Sequence, residues 1–144
     1  MNNFNFWQKW LLWFGVYLFF IGLLLAFFGK SGVMDFFLND HIDPVFWPGH
    51  IPENAVAHRS WIYGVLGATL SGWSVFLIFI IHYPFRERQK WAWNCVAAGI
   101  TIWFLVDTAV TIQNHVWFNL LFNMMLFLEM GVPLLFTRKY FYNV

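Results

Sequence analysis

Four long apolar stretches dominate the pattern of hydrophobic and polar positions along the chain. A helix that crosses the hydrocarbon core of a bilayer needs about 20 mostly apolar residues, at 1.5 Å per residue. Each stretch is expected to be helical, because a helix satisfies its own backbone hydrogen bonds where water is absent. The pattern predicts an all-α, polytopic membrane protein in which a single four-helix transmembrane domain spans residues 1–144, with helices at about 10–29, 60–82, 91–112 and 116–136.

The segments between these stretches predict how the helices are connected. Residues 83–90 and 113–115 are short connections, which favour antiparallel packing of the helices that they join. Residues 30–59 form a longer connection with Pro44, Pro48 and Pro52, which favour irregular structure. The sequence therefore predicts an antiparallel bundle with an outer loop, residues 30–59, between the first and second helices.

The distribution of lysine and arginine predicts the orientation of this bundle. Positively charged loops are retained on the cytoplasmic side of a membrane. If the N-terminus is cytoplasmic, the outer side carries only Lys30 and Arg59, whereas the inner side carries Lys9, Arg86, Arg88, Lys90, Arg138 and Lys139. We expect a multi-pass protein of the cell membrane with both termini in the cytoplasm.

The composition agrees with a lipid environment. The chain is 60% hydrophobic, 24% aromatic and only 10% charged, whereas soluble domains carry about a quarter charged residues. The formal net charge of +1 gives no indication of a nucleic-acid partner. Membrane lipid is therefore the expected surrounding, and no nucleic acid is expected as a partner.

Two acidic residues fall inside the apolar stretches, where an ionisable group is costly enough to be a functional candidate. Counted from the middle of its stretch, Asp107 lies about 8 Å toward the outer face and Glu129 about 4 to 5 Å toward the inner face. This separation is too large for a catalytic pair of carboxylates. Since the sequence also contains no recognisable catalytic motif, it does not decide whether the protein is an enzyme, and it identifies no cofactor.

Asp107 is predicted to share an outer polar layer with Asn119, Asn123 and Tyr63. Arg59, at the outer mouth of the second helix, is placed to extend toward the Asp107 carboxylate. One interpretation is a structural anchor that is hydrogen-bonded between helices. The other is a ligand pocket or a proton-handling site that is open to the outside.

Glu129 falls at nearly the depth of Tyr17 and Ser74, which are predicted to surround it. Pro133 lies four residues later and withdraws the backbone hydrogen bond that the Glu129 carbonyl would otherwise accept. A kink at this point favours a cavity beside the carboxyl group. The alternative is a glutamic acid that is hydrogen-bonded to a neighbour and has only a structural role.

A metal site is not predicted. The segment 30–59 contains His41, Asp43, His50 and His58, which are residue types that bind zinc or copper. Their spacing matches no compact metal-binding motif, so they remain weak candidates only.

The second helix carries small residues at intervals of four, Gly64, Ala68 and Gly72, with Gly67 and Ser71 beside them. Such a ridge allows another helix to approach closely. Its partner is either the first or third helix of the same chain, or a helix of another subunit.

Several short motifs stand out from the second helix onward, namely residues 63–69 (YGVLGAT), 83–86 (YPFR), 91–93 (WAW) and 103–107, and the pair Asn119 and Asn123. Together they form a pattern that resembles small bacterial four-helix membrane proteins of the DoxX-like kind. Some DoxX proteins are membrane subunits of oxidoreductase complexes. The resemblance therefore implies a role beside a membrane partner.

These observations lead to one main functional hypothesis and two alternatives. The main hypothesis is a non-enzymatic subunit or accessory protein of a membrane complex, whose partners are other membrane subunits or further copies of itself. The first alternative is a small membrane enzyme or carrier that binds a lipid-soluble ligand in a polar pocket near Asp107. The second is a proton-coupled transporter that uses Asp107 and Glu129.

Overall fold

The computed structural model describes residues 3–142, and all regular secondary structure in that range is helical. In chain order the helices are α1 (Asn3–Phe28), α2 (Gly32–Met34), α3 (Asp40–Phe46), α4 (Glu53–Ile80), α5 (Lys90–Gln113), α6 (Trp117–Thr137) and α7 (Lys139–Tyr142). Two π-helical turns, Asp35–Asn39 and Ile81–Phe85, connect α2 to α3 and extend α4. The predicted all-α class is confirmed.

Four helical spans in residues 3–142 are long and apolar enough to cross a membrane, namely Asn3–Phe28, Glu53–Phe85, Lys90–Gln113 and Trp117–Tyr142. They are compatible with a small integral membrane protein, as predicted. The first span begins well before residue 10, because packing orders its polar start as well as its apolar part. Phe4 and Gln8 are both buried, and the Gln8 side chain donates a hydrogen bond of 3.2 Å to the Ile81 carbonyl.

The segment 30–59 differs from the irregular loop that the sequence predicts. Residues 32–46 are helical, α4 already begins at Glu53, and the irregular part is reduced to residues 30–31 and 47–52. Pro52 directly precedes α4, where the missing N–H of proline leaves no intrahelical bond unmade. The prolines of this segment therefore do not prevent helices on either side of the irregular connection.

α1 packs against α4 along its length. The facing residues run in opposite chain directions, so the two helices are antiparallel. Two glycines of α1 and the residue after its end mark the contact: Gly15 faces Ile78, Gly22 faces Ser71, and Gly29 faces Tyr63.

The closest approach of α1 and α4 is between their backbones. A Cβ atom at Gly22 would lie 2.7 Å from the Gly67 carbonyl oxygen, and a Cβ at Gly67 would lie 2.5 Å from the Ala26 nitrogen. The Ser71 hydroxyl donates a hydrogen bond of 3.2 Å to the Phe19 carbonyl across the same interface. Only glycine fits at these two positions without moving a helix.

The ridge that the sequence singles out, Gly64, Ala68 and Gly72, is not the face that packs on α1. The contact uses Gly67 and Ser71 instead, and one residue along a helix is a rotation of about 100°. Ala68 and Gly72 are exposed, and a Cβ at Gly72 would meet no atom of the described residues within 4 Å. We refer to Gly64, Ala68 and Gly72 as the exposed ridge.

Buried apolar side chains cluster toward the end of the molecule that holds the start of α1, the turn after α4, and α7. Phe4 contacts the rings of Phe85 at 6.1 Å and Tyr140 at 5.3 Å, measured between ring centroids. The Arg88 guanidinium lies 5.1 Å from the Phe4 ring centroid. The segments predicted to be cytoplasmic therefore meet at one end of the molecule. The buried core consists of Phe4, Leu11, Phe14, Leu18, Leu77, Ile81, Phe85, Ala92, Val96, Ile100, Met130, Leu134 and Phe141.

Candidate functional site

Asp107 is the centre of a hydrogen-bond network between α5 and α6. Its Oδ1 accepts hydrogen bonds from Thr111 Oγ1 at 3.1 Å, Asn119 Nδ2 at 3.0 Å and Asn123 Nδ2 at 2.9 Å. Asn119 also donates to Thr111 Oγ1 at 2.8 Å. We refer to these four residues as the Asp107 network.

Helix periodicity explains why this network forms. Asp107 and Thr111 are four residues apart on α5, and Asn119 and Asn123 are four apart on α6, so each pair lies on one helix face. Asn123 and Thr111 are buried, where their polar groups require partners. The structure brings Asp107 together with Asn119 and Asn123, as the sequence indicates, and the network stabilises the contact between the two helices.

Arg59 and Tyr63 do not belong to the Asp107 network. Arg59 forms a salt bridge with Asp43 and lies 3.9 Å from Asp35 Oδ1. The Tyr63 hydroxyl donates to Asn39 Oδ1 at 2.9 Å, and Asn39 Nδ2 donates to Asp35 Oδ1 at 2.7 Å. These five residues, which we call the Arg59 cluster, fasten residues 32–46 to α4.

The Arg59 cluster corrects the expectation that Arg59 reaches toward Asp107. The guanidinium finds nearer carboxylates on the helical segment that folds over the start of α4. A sequence signal for this arrangement exists, because Asp35, Asn39 and Asp43 follow each other at intervals of four. Such spacing places side chains on one helix face, but it is informative only once residues 32–46 are recognised as helical.

The four weak metal candidates do not converge. Asp43 is occupied by Arg59, the His41 ring stacks on Phe118 with centroids 4.2 Å apart, and His58 lies against Trp61. His50 is exposed in the irregular segment 47–52. Within residues 3–142, no three His, Cys, Asp or Glu side chains are grouped so that they could hold a metal ion.

An open groove of about 740 Å³ lies between the first half of α1 and α6, beside Glu129. Tyr17 lines this groove together with Glu129, which places these two predicted neighbours in one site. Ser74 has a different environment, since it is fully buried and its hydroxyl donates to the Leu70 carbonyl of its own helix at 2.6 Å. The lining residues of this groove, which we call the Glu129 groove, are Asn5, Phe6, Lys9, Trp10, Trp13, Phe14, Tyr17 and Glu129.

A tryptophan compensates for the backbone hydrogen bond that Pro133 removes. Proline has no N–H to donate to the carbonyl four residues earlier, and that carbonyl belongs to Glu129. Trp10 Nε1 donates a hydrogen bond of 3.1 Å to the Glu129 carbonyl oxygen. The Trp10 side chain of α1 thereby replaces the missing helical hydrogen bond and joins α1 to α6 beside the groove.

Comparison of the chain with family models, with curated proteins and with solved structures gave no match. The resemblance to DoxX-like proteins therefore stays a prediction.

Proposed function

We propose that this protein is a non-enzymatic subunit or accessory protein of a membrane complex, and that it binds another chain through the exposed ridge. The observation that carries the proposal is that the helices described in residues 3–142 leave Ala68 and Gly72 of this ridge uncovered, whereas Gly64 is half-buried beside α1. Ala68 and Gly72 are exposed, and the nearest atom to a Cβ at Gly64 would be the Ala26 carbonyl oxygen at 3.9 Å.

Small residues at intervals of four are a recurrent interface between membrane helices, because they allow two backbones to approach closely. The same chain already uses this device once, where Gly67 and Gly22 bring α4 and α1 together. The exposed ridge offers a second such surface on the adjoining flank of α4. Its complement is a transmembrane helix of another subunit or of a second copy of the chain.

The proposal includes an antiparallel four-helix bundle in the cell membrane, with both termini cytoplasmic and residues 30–59 outside. Charge distribution supports this orientation. Arg88 and Lys139 lie over the Tyr140 ring, and Lys90 and Arg138 over the Tyr142 ring, so the cationic residues gather at one end. The segment 30–59, assigned to the other side, carries only Lys30 and Arg59, and this excess of lysine and arginine on one side is what sets orientation.

The association can be tested by disulfide cross-linking in native membranes. After replacement of the exposed Cys95 by serine, single cysteines are introduced by Ala68→Cys or by Leu66→Cys. Leu66 is 52% exposed, but two residues along the helix it points about 160° away from Ala68. We expect oxidation to cross-link the Ala68→Cys protein, to itself or to a partner, and to leave the Leu66→Cys control unlinked.

A second experiment measures the assembly in mild detergent by native mass spectrometry. We expect Gly72→Ile to dissociate the complex, because its side chain fills the space that a partner backbone would occupy. A wild-type protein that is a solitary monomer in membranes and in detergent would contradict the proposal. Equal cross-linking at positions 66 and 68 would also contradict it, since the ridge would then have no special role.

A second candidate function, a carrier or enzyme for a lipid-soluble ligand near Asp107, is favoured by one observation. The three hydrogen bonds that the Asp107 side chain accepts all end on Oδ1, and Oδ2 accepts none within residues 3–142. A ligand with a hydrogen-bond donor would find an acceptor there. Asp107→Asn separates the two roles, because a structural anchor predicts lower stability alone, whereas a ligand site predicts that co-purifying lipid-soluble molecules are lost from a stable protein.

A further inference from the structure

The Glu129 groove has an unusual wall. Its aromatic residues Phe6, Trp10, Trp13 and Tyr17 follow one face of α1 at intervals of three and four. They are not core residues, since Trp10 is 46%, Trp13 70% and Tyr17 47% exposed. The wall extends over three turns of α1, so its aromatic surface continues well beyond the single layer of an interfacial belt.

Glu129 is the one residue of α6 among those that line the groove. Within the described chain, its carboxyl group has no hydrogen bond and no salt bridge, although Lys9 lines the same groove. The Trp10 indole is held at the Glu129 backbone by the hydrogen bond of 3.1 Å. A carboxyl group without a partner in residues 3–142 and a row of aromatic side chains therefore line one open space.

This combination has a specific chemical preference. The faces of tryptophan and tyrosine rings attract cations, and aromatic cages are a recurrent device for recognising quaternary ammonium groups. A carboxylate beside the rings would pair with the charge of such a cation. The groove volume of about 740 Å³ falls in the range of small-molecule sites, and such sites are mostly apolar with few polar groups.

We propose that the Glu129 groove binds an amphipathic organic cation, a lipophilic quaternary ammonium or phosphonium compound that partitions into the membrane. The cationic centre lies between the Glu129 carboxylate and the rings of Trp10 and Trp13, and the apolar groups of the ligand contact Phe14 and Tyr17. Lys9 repels the ligand and limits how tightly it binds. This proposal is independent of association through the exposed ridge, which is on α4.

The test uses radiolabelled tetraphenylphosphonium and the purified, detergent-solubilised protein in a scintillation proximity assay. We expect Glu129→Gln to weaken binding about tenfold, the size typical of losing an interaction with a charged group. The matched control is Glu87→Gln, because Glu87 is an exposed carboxylate that bonds to Gln89 outside the groove. Its affinity for the probe should equal that of the wild type.

Two further variants define the sign of the charge effect and the role of the rings. Lys9→Gln should tighten binding, because it removes a like charge. Trp13→Leu should weaken binding about threefold through loss of a ring face, and since Trp13 is largely exposed, it serves as the main test if Glu129→Gln fails to fold.

Four results would overturn the proposal. They are wild-type affinity in the folded Glu129→Gln protein, weaker binding in Lys9→Gln, which would mean that Lys9 does not repel the bound cation, no effect of Trp13→Leu, or an equal loss of affinity in Glu87→Gln. The last result would mean that the probe responds only to net charge.

Discussion

The two helix pairs of this molecule are joined by opposite means. α1 and α4 meet where side chains are missing, at Gly22 and Gly67, so that their backbones touch. α5 and α6 meet through side chains, because Asp107 accepts hydrogen bonds from Asn119 and Asn123 across the interface. In lipid there is no hydrophobic drive that pulls helices together, and close packing and interhelical hydrogen bonds are the interactions that remain.

The two contacts therefore tolerate amino-acid substitutions differently. A backbone contact has no flexible atoms, so any added atom forces the helices apart. A side-chain network can rearrange, and a lost hydrogen bond between membrane helices is worth only about 0.6 to 2 kcal/mol. We therefore expect single substitutions to be more damaging in the α1–α4 contact.

The largest expected effect is that of Gly67→Ala. Its Cβ would lie 2.5 Å from the nitrogen and 2.9 Å from the Cα of Ala26, both backbone atoms that cannot move alone. We expect the free energy of unfolding to fall by about 3 kcal/mol, measured by SDS titration of the protein in dilute mild detergent. The control is Gly131→Ala in α6, whose Cβ would meet no described atom within 4 Å and which should be neutral or stabilising by up to about 1 kcal/mol. Equal losses in the two variants would refute the assignment of the contact.

Asp107→Ala should have the next largest effect. It removes the acceptor of three hydrogen bonds, and we expect a loss of about 1 to 2 kcal/mol in the same titration. Asp107→Asn keeps an oxygen acceptor in the same place and should lose less than half as much. If the asparagine variant is as unstable as the alanine variant, the negative charge and not the hydrogen bonding stabilises the α5–α6 contact.

The contact between α1 and α6 joins a side chain of one helix to a backbone atom of the other, and Trp10→Phe tests it. The variant keeps an aromatic ring but loses the hydrogen bond to the Glu129 carbonyl, which Pro133 leaves without a helical partner. We expect a loss of about 1 kcal/mol in unfolding free energy. Pro133→Ala restores a backbone N–H, so in that background Trp10→Phe should have almost no effect. A full effect in both backgrounds would show that the indole stabilises the protein by packing alone.

The smallest expected effect is the coupling between the two pairs. Gly67 and Asp107 contact different residues, and substitutions without shared partners usually add. The double variant Gly67→Ala/Asp107→Ala should therefore lose the sum of the two single losses to within about 0.5 kcal/mol. A larger coupling energy would mean that the two helix pairs form one cooperative unit, in which the distinction between the two contacts has no energetic meaning.

Part of the candidate site could be predicted from the sequence. Depth counting along two apolar stretches placed Asp107, Asn119 and Asn123 in one layer, because a helix in lipid has a known rise and the connection between α5 and α6 is short. Arg59 and Tyr63 were misplaced by the same counting. Their partners come from residues 32–46. Whether that segment is helical and where it lies depend on tertiary packing, which the sequence pattern of α4 does not indicate.

The face of α4 that packs against α1 is likewise only partly predictable from the sequence. The spacing of Gly64, Ala68 and Gly72 identifies a surface that allows close approach, but Gly67 and Ser71 offer a nearly equivalent surface one residue along. The partner decides between them, because Gly22 and Ala26 of α1 must fit against the chosen face. The position of the aromatic wall opposite Glu129 likewise depends on how α1 lies on α6.

The sequence by itself determined that the chain is helical and that four of its segments are apolar enough to cross a membrane, because backbone hydrogen bonding and the length of an apolar run are local properties. It also determined which polar residues stand out in those segments. The three-dimensional structure alone shows which glycines touch, which carboxylates pair with Arg59, and that Glu129 borders an aromatic groove. Those contacts join residues that are distant in the chain, and they depend on the rotation of each helix about its axis, which an almost uniformly apolar surface does not specify.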